Sequence, residues 1–255
     1  MHHLSRFLCV SLLLGCGDDS SNPDTGPVDA ASDVALDASA EEGEWLALVR
    51  GTLFTDDLSE AQAFHDGLAS GGEEAARAAG DFGHDAMLGT TLLGTTENAF
   101  LGVDRWTSRT GMIEFYENPD FAAAFGMLFE GAPQLELFAR SDFHEWGELT
   151  SGDGEPHVFV VVRGRLAESD PDAARASHDL VAQGGEEQVR AAGDLAHVVF
   201  VGLEDPREFL AFDIWRDTTN LEAVYTDPDF QAAFGSLFAE PPTIAVYGST
   251  DWYQW

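Results

Sequence analysis

The chain has 255 residues, of which 46 are acidic and 12 basic, giving a formal charge of −34; every basic residue is an arginine. That balance excludes nucleic-acid binding, since phosphate contacts need a basic patch that this composition does not supply. The two cysteines, Cys9 and Cys16, both fall in the first sixteen residues, so the folded part is expected to hold together by burial alone, with no thiol for a disulfide, a metal or a nucleophile.

The first segment, 1–16, reads as an export signal. Arg6 precedes a short apolar core, Phe7–Leu14, which is far below the roughly 20 residues needed to span a bilayer. Leu13-Leu14-Gly15-Cys16 then resembles the end of a bacterial lipoprotein signal. The resemblance implies cleavage before Cys16, lipid on its sulfur, and a protein anchored in the cell envelope, on the periplasmic face or the outer-membrane surface. A plain secretory signal is the alternative. Residues 17–44 carry nine carboxylates and no basic side chain among Ser, Ala, Pro and Gly. Such a stretch buries too little apolar surface to offset its chain entropy, so it is expected to be a disordered acidic tether.

Beyond the tether the chain repeats itself. Residues 49–84 align without a gap on 162–197 with 20 identities in 36 positions, and 100–146 align on 209–255 with 18 in 47. A unit of about 100 residues is a domain rather than a solenoid repeat. The expected organisation is two similar domains, 45–147 and 155–255, forming a pseudo-dimer within a single chain that is monomeric in solution.

In the second copy Val158–Val162 is a short β-branched run, the pattern of a strand buried on both faces, and His197–Leu203, Phe209–Trp215 and Thr243–Tyr247 read as further strands. Pro171–Ala192 and Pro228–Phe238 are helical in composition. The order β-α-β-β-α-β is a ferredoxin-like unit, so the fold class is α+β. Helices cover one face of such a sheet; the apolar other face needs the sheet of the second copy, packed face to face with the helices outside. Asn118 and Asp227 are N-cap residues followed by Pro119 and Pro228. Phe121, Phe125, Leu128 and Phe129, with their counterparts Phe230, Phe234, Leu237 and Phe238, make an apolar stripe on the second helix.

Asp104-Arg105-Trp106 and Asp213-Ile214-Trp215, each followed by a tyrosine before Pro-Asp-Phe (Tyr116 to Phe121, Tyr225 to Phe230), resemble the dimeric α/β-barrel superfamily and its antibiotic-biosynthesis-monooxygenase-like branch. The resemblance implies an intrachain α/β barrel. It does not choose among quinol oxygenases that need no cofactor, haem proteins and members without known activity, and no haem-ligand pattern is present.

Polar residues kept in both copies are the site candidates: His65 and His178, His84 and His197, Asp104 and Asp213, and also Arg50 and Arg163, Asp66 and Asp179, Asp81 and Asp194. His65 shares a narrow helical arc with Ala61, Leu68 and Ala69, so its ring faces the sheet, although Gly71-Gly72 and Gly184-Gly185 are candidate helix breaks. A histidine there is either a satisfied core residue or a functional one. Asp104 and Asp213 lie in a buried strand and need partners, for which Arg50 and Arg163 on the neighbouring strand are candidates. Asp81-x-x-His84 reads either as a turn with a solvated histidine or as a histidine brought near His65.

Three functions remain open. The barrel binds a small apolar or aromatic ligand, without catalysis, in cavities walled by Phe100, Trp106, Phe209 and Trp215. Alternatively, His65 or His84 is the general base of a quinol or phenol monooxygenase that needs no cofactor, oriented by Asp104. The third is a two-histidine, one-carboxylate metal site, for which the spacing gives no local signature; the reading retained has neither cofactor nor metal. The closing segments Phe143–Trp146 and Trp252–Trp255 are expected to fold each over the opposite domain.

Overall fold

The computed structural model describes residues 41–149 and 157–255. The signal, Cys16 and nearly all of the acidic tether lie outside the described residues. In chain order the elements are β1 (Glu42–Thr52), α1 (Leu58–Ala79), β2 (Asp81–Gly89), β3 (Ala99–Ser108), α2 (Arg109–Tyr116), α3 (Pro119–Gly126) and β4 (Gln134–Arg140). The second copy repeats them as β5 (Val158–Arg165), α4 (Pro171–Ala192), β6 (Asp194–Gly202), β7 (Glu208–Trp215), α5 (Leu221–Tyr225), α6 (Pro228–Gly235) and β8 (Thr243–Ser249). β1 starts three residues inside the stretch read from composition as tether.

The eight strands close into one antiparallel barrel in the order β1-β3-β2-β8-β5-β7-β6-β4. The expected pair of facing sheets is therefore joined along its edges. Met87–Gly89 pair with Tyr247–Ser249 on one side, and Phe138–Arg140 with Phe200–Gly202 on the other. Closure pairs backbone groups that two separate sheets would leave unpaired at four edges.

Strand alternation sorts the side chains into two layers. One apolar cluster draws on all eight strands, with Leu46, Val103, Phe138, Val161, Phe200 and Phe212 among its members, and fills the barrel. The alternate residues, such as Ala47, Trp106, Ala211 and Trp215, face outward and are covered by the helices. His84, Asp104, His197 and Asp213 belong to this outer layer, so any site they make lies between barrel and helices rather than inside the barrel.

α1 runs unbroken through Gly71-Gly72 and α4 through Gly184-Gly185. A Cβ built at any of these glycines meets nothing within 4 Å: Gly71 and Gly184 are exposed while Gly72 and Gly185 border open space beneath the helix, and each costs the helix only about 1 kcal/mol. Asp57 caps α1 by accepting from the Ser59 and Glu60 amides, and Gly80, at φ 111°, ends it in the left-handed conformation that favours glycine. The second helix of each copy is shorter than its stripe. α3 stops at Gly126 because Phe129 is drawn into a β-bridge with Leu53, and α6 stops at Gly235 because Phe238 bridges Leu166. α2 and α5 were not apparent from the apolar periodicity.

After β4 and β8 the chain crosses to the other half. Trp146 exchanges backbone hydrogen bonds with His197 (3.1 and 2.8 Å), and Trp255 does the same with His84 (2.9 and 3.2 Å). Each half thus roofs its neighbour's outer face with its own last residues.

Candidate functional site

Each half holds a buried chain of polar groups. In the first, His65 from α1 sets its Nδ1 3.0 Å from Asp66 and its Nε2 3.2 Å from Nε2 of His84 on β2. His84 turns Nδ1 to Asp104 on β3, and the Tyr116 hydroxyl at the end of α2 donates to the other oxygen of Asp104. In the second, His178 lies 3.2 Å from Asp179 and 3.2 Å from His197, whose Nδ1 is 2.5 Å from Asp213, and Tyr225 donates to Asp213. The histidine rings are nearly parallel within each pair, at interplanar angles of 14° and 12°.

Register explains the convergence. Asp104 faces His84 across the β2–β3 ladder, and Asp213 faces His197 across β6–β7, while His65 and His178 look down from the helices. The arginines expected as partners of the aspartates are elsewhere. Ala47, not Arg50, lies opposite Asp104, and Val160, not Arg163, opposite Asp213. An offset of three residues puts the arginines on the other face, where Arg50 (2.9 Å) and Arg163 both pair with Glu136 at one end of the barrel.

The hydrogen count fixes the roles in the first copy. If His65 donates from Nδ1 to Asp66, its Nε2 accepts, so His84 must donate from Nε2; donation from Nδ1 to Asp104 then makes His84 the charged ring. Electrostatics agrees. Burial pulls His65 below its ordinary value despite the bond to Asp66. Burial also opposes charge on His84, but the charge and hydrogen bond of Asp104, with Asp81 and Asp85 behind, raise it overall. In the second copy burial, then neighbouring His197, pull His178 down to about 4. Burial and the adjacent aspartate push Tyr116 and Tyr225 well above the usual phenol range, so both stay donors.

Beside each polar chain is a small, partly open cavity under the second helix, about 40 Å3 in the first half and about 60 Å3 in the second. Aromatic walls come from Phe115, Phe121, Phe125 and Trp255 in the first, and from Trp146, Trp215, Phe230 and Phe234 in the second. Of the four aromatics expected to line a pocket, Trp215 borders the second cavity, and Phe100 borders a separate, more open pocket of about 560 Å3 with Arg50, Phe129 and Tyr247. Phe100 and Phe209 press on His65 and His178 (centroids 5.6 and 5.7 Å) at the far end of the strand, and Trp106 lies behind Phe115 at 5.3 Å.

His65, His84 and Asp104 border the first cavity and His178, His197 and Asp213 the second, and each cavity is also bordered by a carboxyl group read from sequence as part of a turn. Asp81 and Asp194 are the first residues of their strands, only 4% exposed, and border the cavities. One oxygen of each accepts a backbone N–H, from Gly83 (3.0 Å) and Ala196 (3.1 Å). Burial, then the charge of Asp104, pushes Asp81 up to about 7; burial, then Asp213, pushes Asp194 up to about 9. The duplication carried a signal for them, as did the twelve-residue step from Asp104 to Tyr116 that recurs from Asp213 to Tyr225.

The metal alternative does not fit. The two Nε2 atoms face each other within hydrogen-bonding distance at 3.2 Å, and Asp104 is turned to Nδ1 of His84 rather than to the space between the rings. Among the described residues no group of three or more His, Cys, Asp or Glu is placed to hold a metal.

No protein-family model matches this chain, and no curated protein matches it by sequence. Solved structures do match. An anthrone oxidase-like protein aligns over 86% of this chain and 94% of its own, at 18% identity and a TM-score of 0.61. The fold is a dimeric α/β barrel, here closed within one chain. A proposed monooxygenase from Fusobacterium nucleatum (12% identity, TM-score 0.56, 84% of this chain and 98% of that one) and one from Lactobacillus acidophilus (8%, 0.53, 82% and 94%) have the same architecture. At these identities the likeness is one of fold.

Proposed function

We propose that each half of the barrel binds one small apolar or aromatic molecule in the space between its sheet and its second helix. One observation carries this reading: both copies set an aromatic-walled cavity against a buried His-His-Asp-Tyr chain and a second buried carboxyl. The cavities are well below the roughly 150 Å3 that accommodates benzene in an engineered protein core, so even a single ring enters only when the second helix moves outward to enlarge them. Entry is under α3 and α6, neither of which contains a buried residue and which therefore open more readily than the rest. Calorimetric titration of the full-length protein with single-ring aromatics tests this. Two binding events are expected, one removed by Ala69→Phe in the first cavity and one by Ala182→Phe in the second; stoichiometry unchanged by both variants refutes it.

An oxygenase acting on quinols or phenols is the second reading. The fold of the anthrone oxidase-like protein and the near-neutral carboxyl of Asp81 favour it. Every ring nitrogen of His65 and His84 already has a partner, so in this reading Asp81 takes the hydroxyl proton and the histidines position and compensate it. Oxygen uptake with a quinol, lost in Asp81→Asn and in His65→Ala, supports it; binding without uptake leaves the pockets as binding sites only.

The export reading is a proposal of the same kind: lipid on Cys16 holds the barrel at the cell envelope through the acidic tether. No helix among the described residues is long and apolar enough to cross a membrane. Incorporation of labelled fatty acid, abolished by Cys16→Ser, is expected; unlabelled protein rejects the anchor.

A further inference from the structure

At one end of the barrel two arginines share one carboxylate. On the β1–β4 ladder Arg50 lies opposite Gln134 and Leu48 opposite Glu136; the matching β5–β8 ladder sets Arg163 opposite Thr243 and Val161 opposite Ala245. Ala245 therefore stands where Glu136 would have its counterpart, and Arg163 has no carboxylate at the matching place in its own half. It reaches across to Oε1 of Glu136, whose Oε2 already accepts from Nε (3.1 Å) and Nη2 (2.9 Å) of Arg50. Gln134 accepts from the same Nη2 at 2.6 Å, which leaves Nη1 of Arg50 without a partner among the described residues. Burial and the adjacent charge of Arg50 hold Arg163 below the usual arginine value, and Glu136 only partly offsets them.

Arg50 and Tyr247 border the open pocket of about 560 Å3 at this end, far larger than the cavities under the helices and within the roughly 300–1,000 Å3 of small-molecule clefts. Burial raises the Tyr247 phenol, against the opposing pull of Arg50 and Arg163, so it stays a donor. Phe100, Phe129 and Ala132 supply apolar wall. We propose that this pocket binds a small organic carboxylate, with one oxygen accepting from Nη1 of Arg50 and the other from the Tyr247 hydroxyl. Arg163 adds its charge through the shared Glu136. The ligand supplies the second negative group that Ala245 does not, and ionised partners make the stronger hydrogen bonds. Glu136 remains bonded beside it, so a single negative charge is favoured over a phosphate dianion. Glu130 at the rim and Glu208 near Arg163 are both exposed, where water weakens their repulsion. The site is separate from the helix cavities, which neither Arg50 nor Tyr247 borders.

The test compares benzoate with benzamide, alike in shape but uncharged, by calorimetric titration of the full-length protein at pH 7. Benzoate is expected to bind at least tenfold tighter, the worth of one hydrogen bond to a charged group. Arg50→Gln should abolish the preference, and Arg163→Gln and Tyr247→Phe should each reduce it severalfold. Because Arg50 touches neither helix cavity, its effect locates the binding at the barrel end. If Arg50→Gln does not fold, the other two variants decide. Equal affinity for the two compounds, binding of neither, or a preference unchanged in the variants overturns the site. Inorganic phosphate bound more tightly than benzoate overturns the carboxylate assignment.

Discussion

Trp252 tests the crossed roof of the barrel most directly. It is 4% exposed and packs between His65 and Phe100, at centroid distances of 5.1 and 5.8 Å, although it belongs to the other half of the chain. Thr250 hooks the approach by donating to the Ala86 carbonyl (2.6 Å), and the next residue, Tyr253, donates its N–H to Asp66 (2.7 Å). Trp252→Ala removes the ring and leaves His65 and Phe100 facing a void, a loss of about 3–5 kcal/mol. In a protein of this size each kcal/mol lowers the melting temperature by roughly 2–4 °C, so a drop of roughly 6–20 °C is expected by scanning calorimetry. Phe143→Ala, which empties the matching position over His178 (4.9 Å), should behave alike. Tyr253→Ala, whose ring lies outside, should leave the melt unchanged. A Trp252→Ala shift below about 3 °C, or a larger effect from Tyr253→Ala, would refute the claim that these last residues hold the halves together.

Two more outcomes follow from the buried polar groups. Asp194 is raised from 3.8 to about 9 in the fold, so the folded state holds a proton that the unfolded state releases. Its contribution is complete below about pH 4 and is lost as the pH rises through about 9. Asp194→Asn should therefore gain stability relative to the wild type across that window in denaturant titrations, and parallel curves would count against it. Tyr225→Phe removes a buried donor to a carboxylate and is expected to cost about 1.5–3 kcal/mol, read as a lower denaturant midpoint at constant slope; an unchanged midpoint would show that the hydroxyl is not needed there.

Much of the barrel was legible in the residues because duplication and alternation are local signals. Pro171–Ala192 is the observed span of α4, and Asn118-Pro119 and Asp227-Pro228 begin α3 and α6. The arc through Ala61 and His65 put the imidazole against the sheet, where it lies 1% exposed. Local pattern could not end α3 at Gly126, since the pull on Phe129 comes from Leu53, far away in the chain.

What the amino-acid sequence determined by itself was the repeating β-α-β-β-α-β order and the set of polar residues kept in both halves, because capping, apolar period and identity are properties of short stretches. The tertiary structure alone decided the partners. Register put Asp104 opposite His84 and turned Arg50 to the other face of its strand, closure of the sheets joined the halves, and the crossing of the last residues brought Trp255 to a pocket whose other walls stand 130 to 190 positions earlier. Such pairings depend on the face each strand presents once its neighbour is in place, and a one-residue change of register would reverse them all.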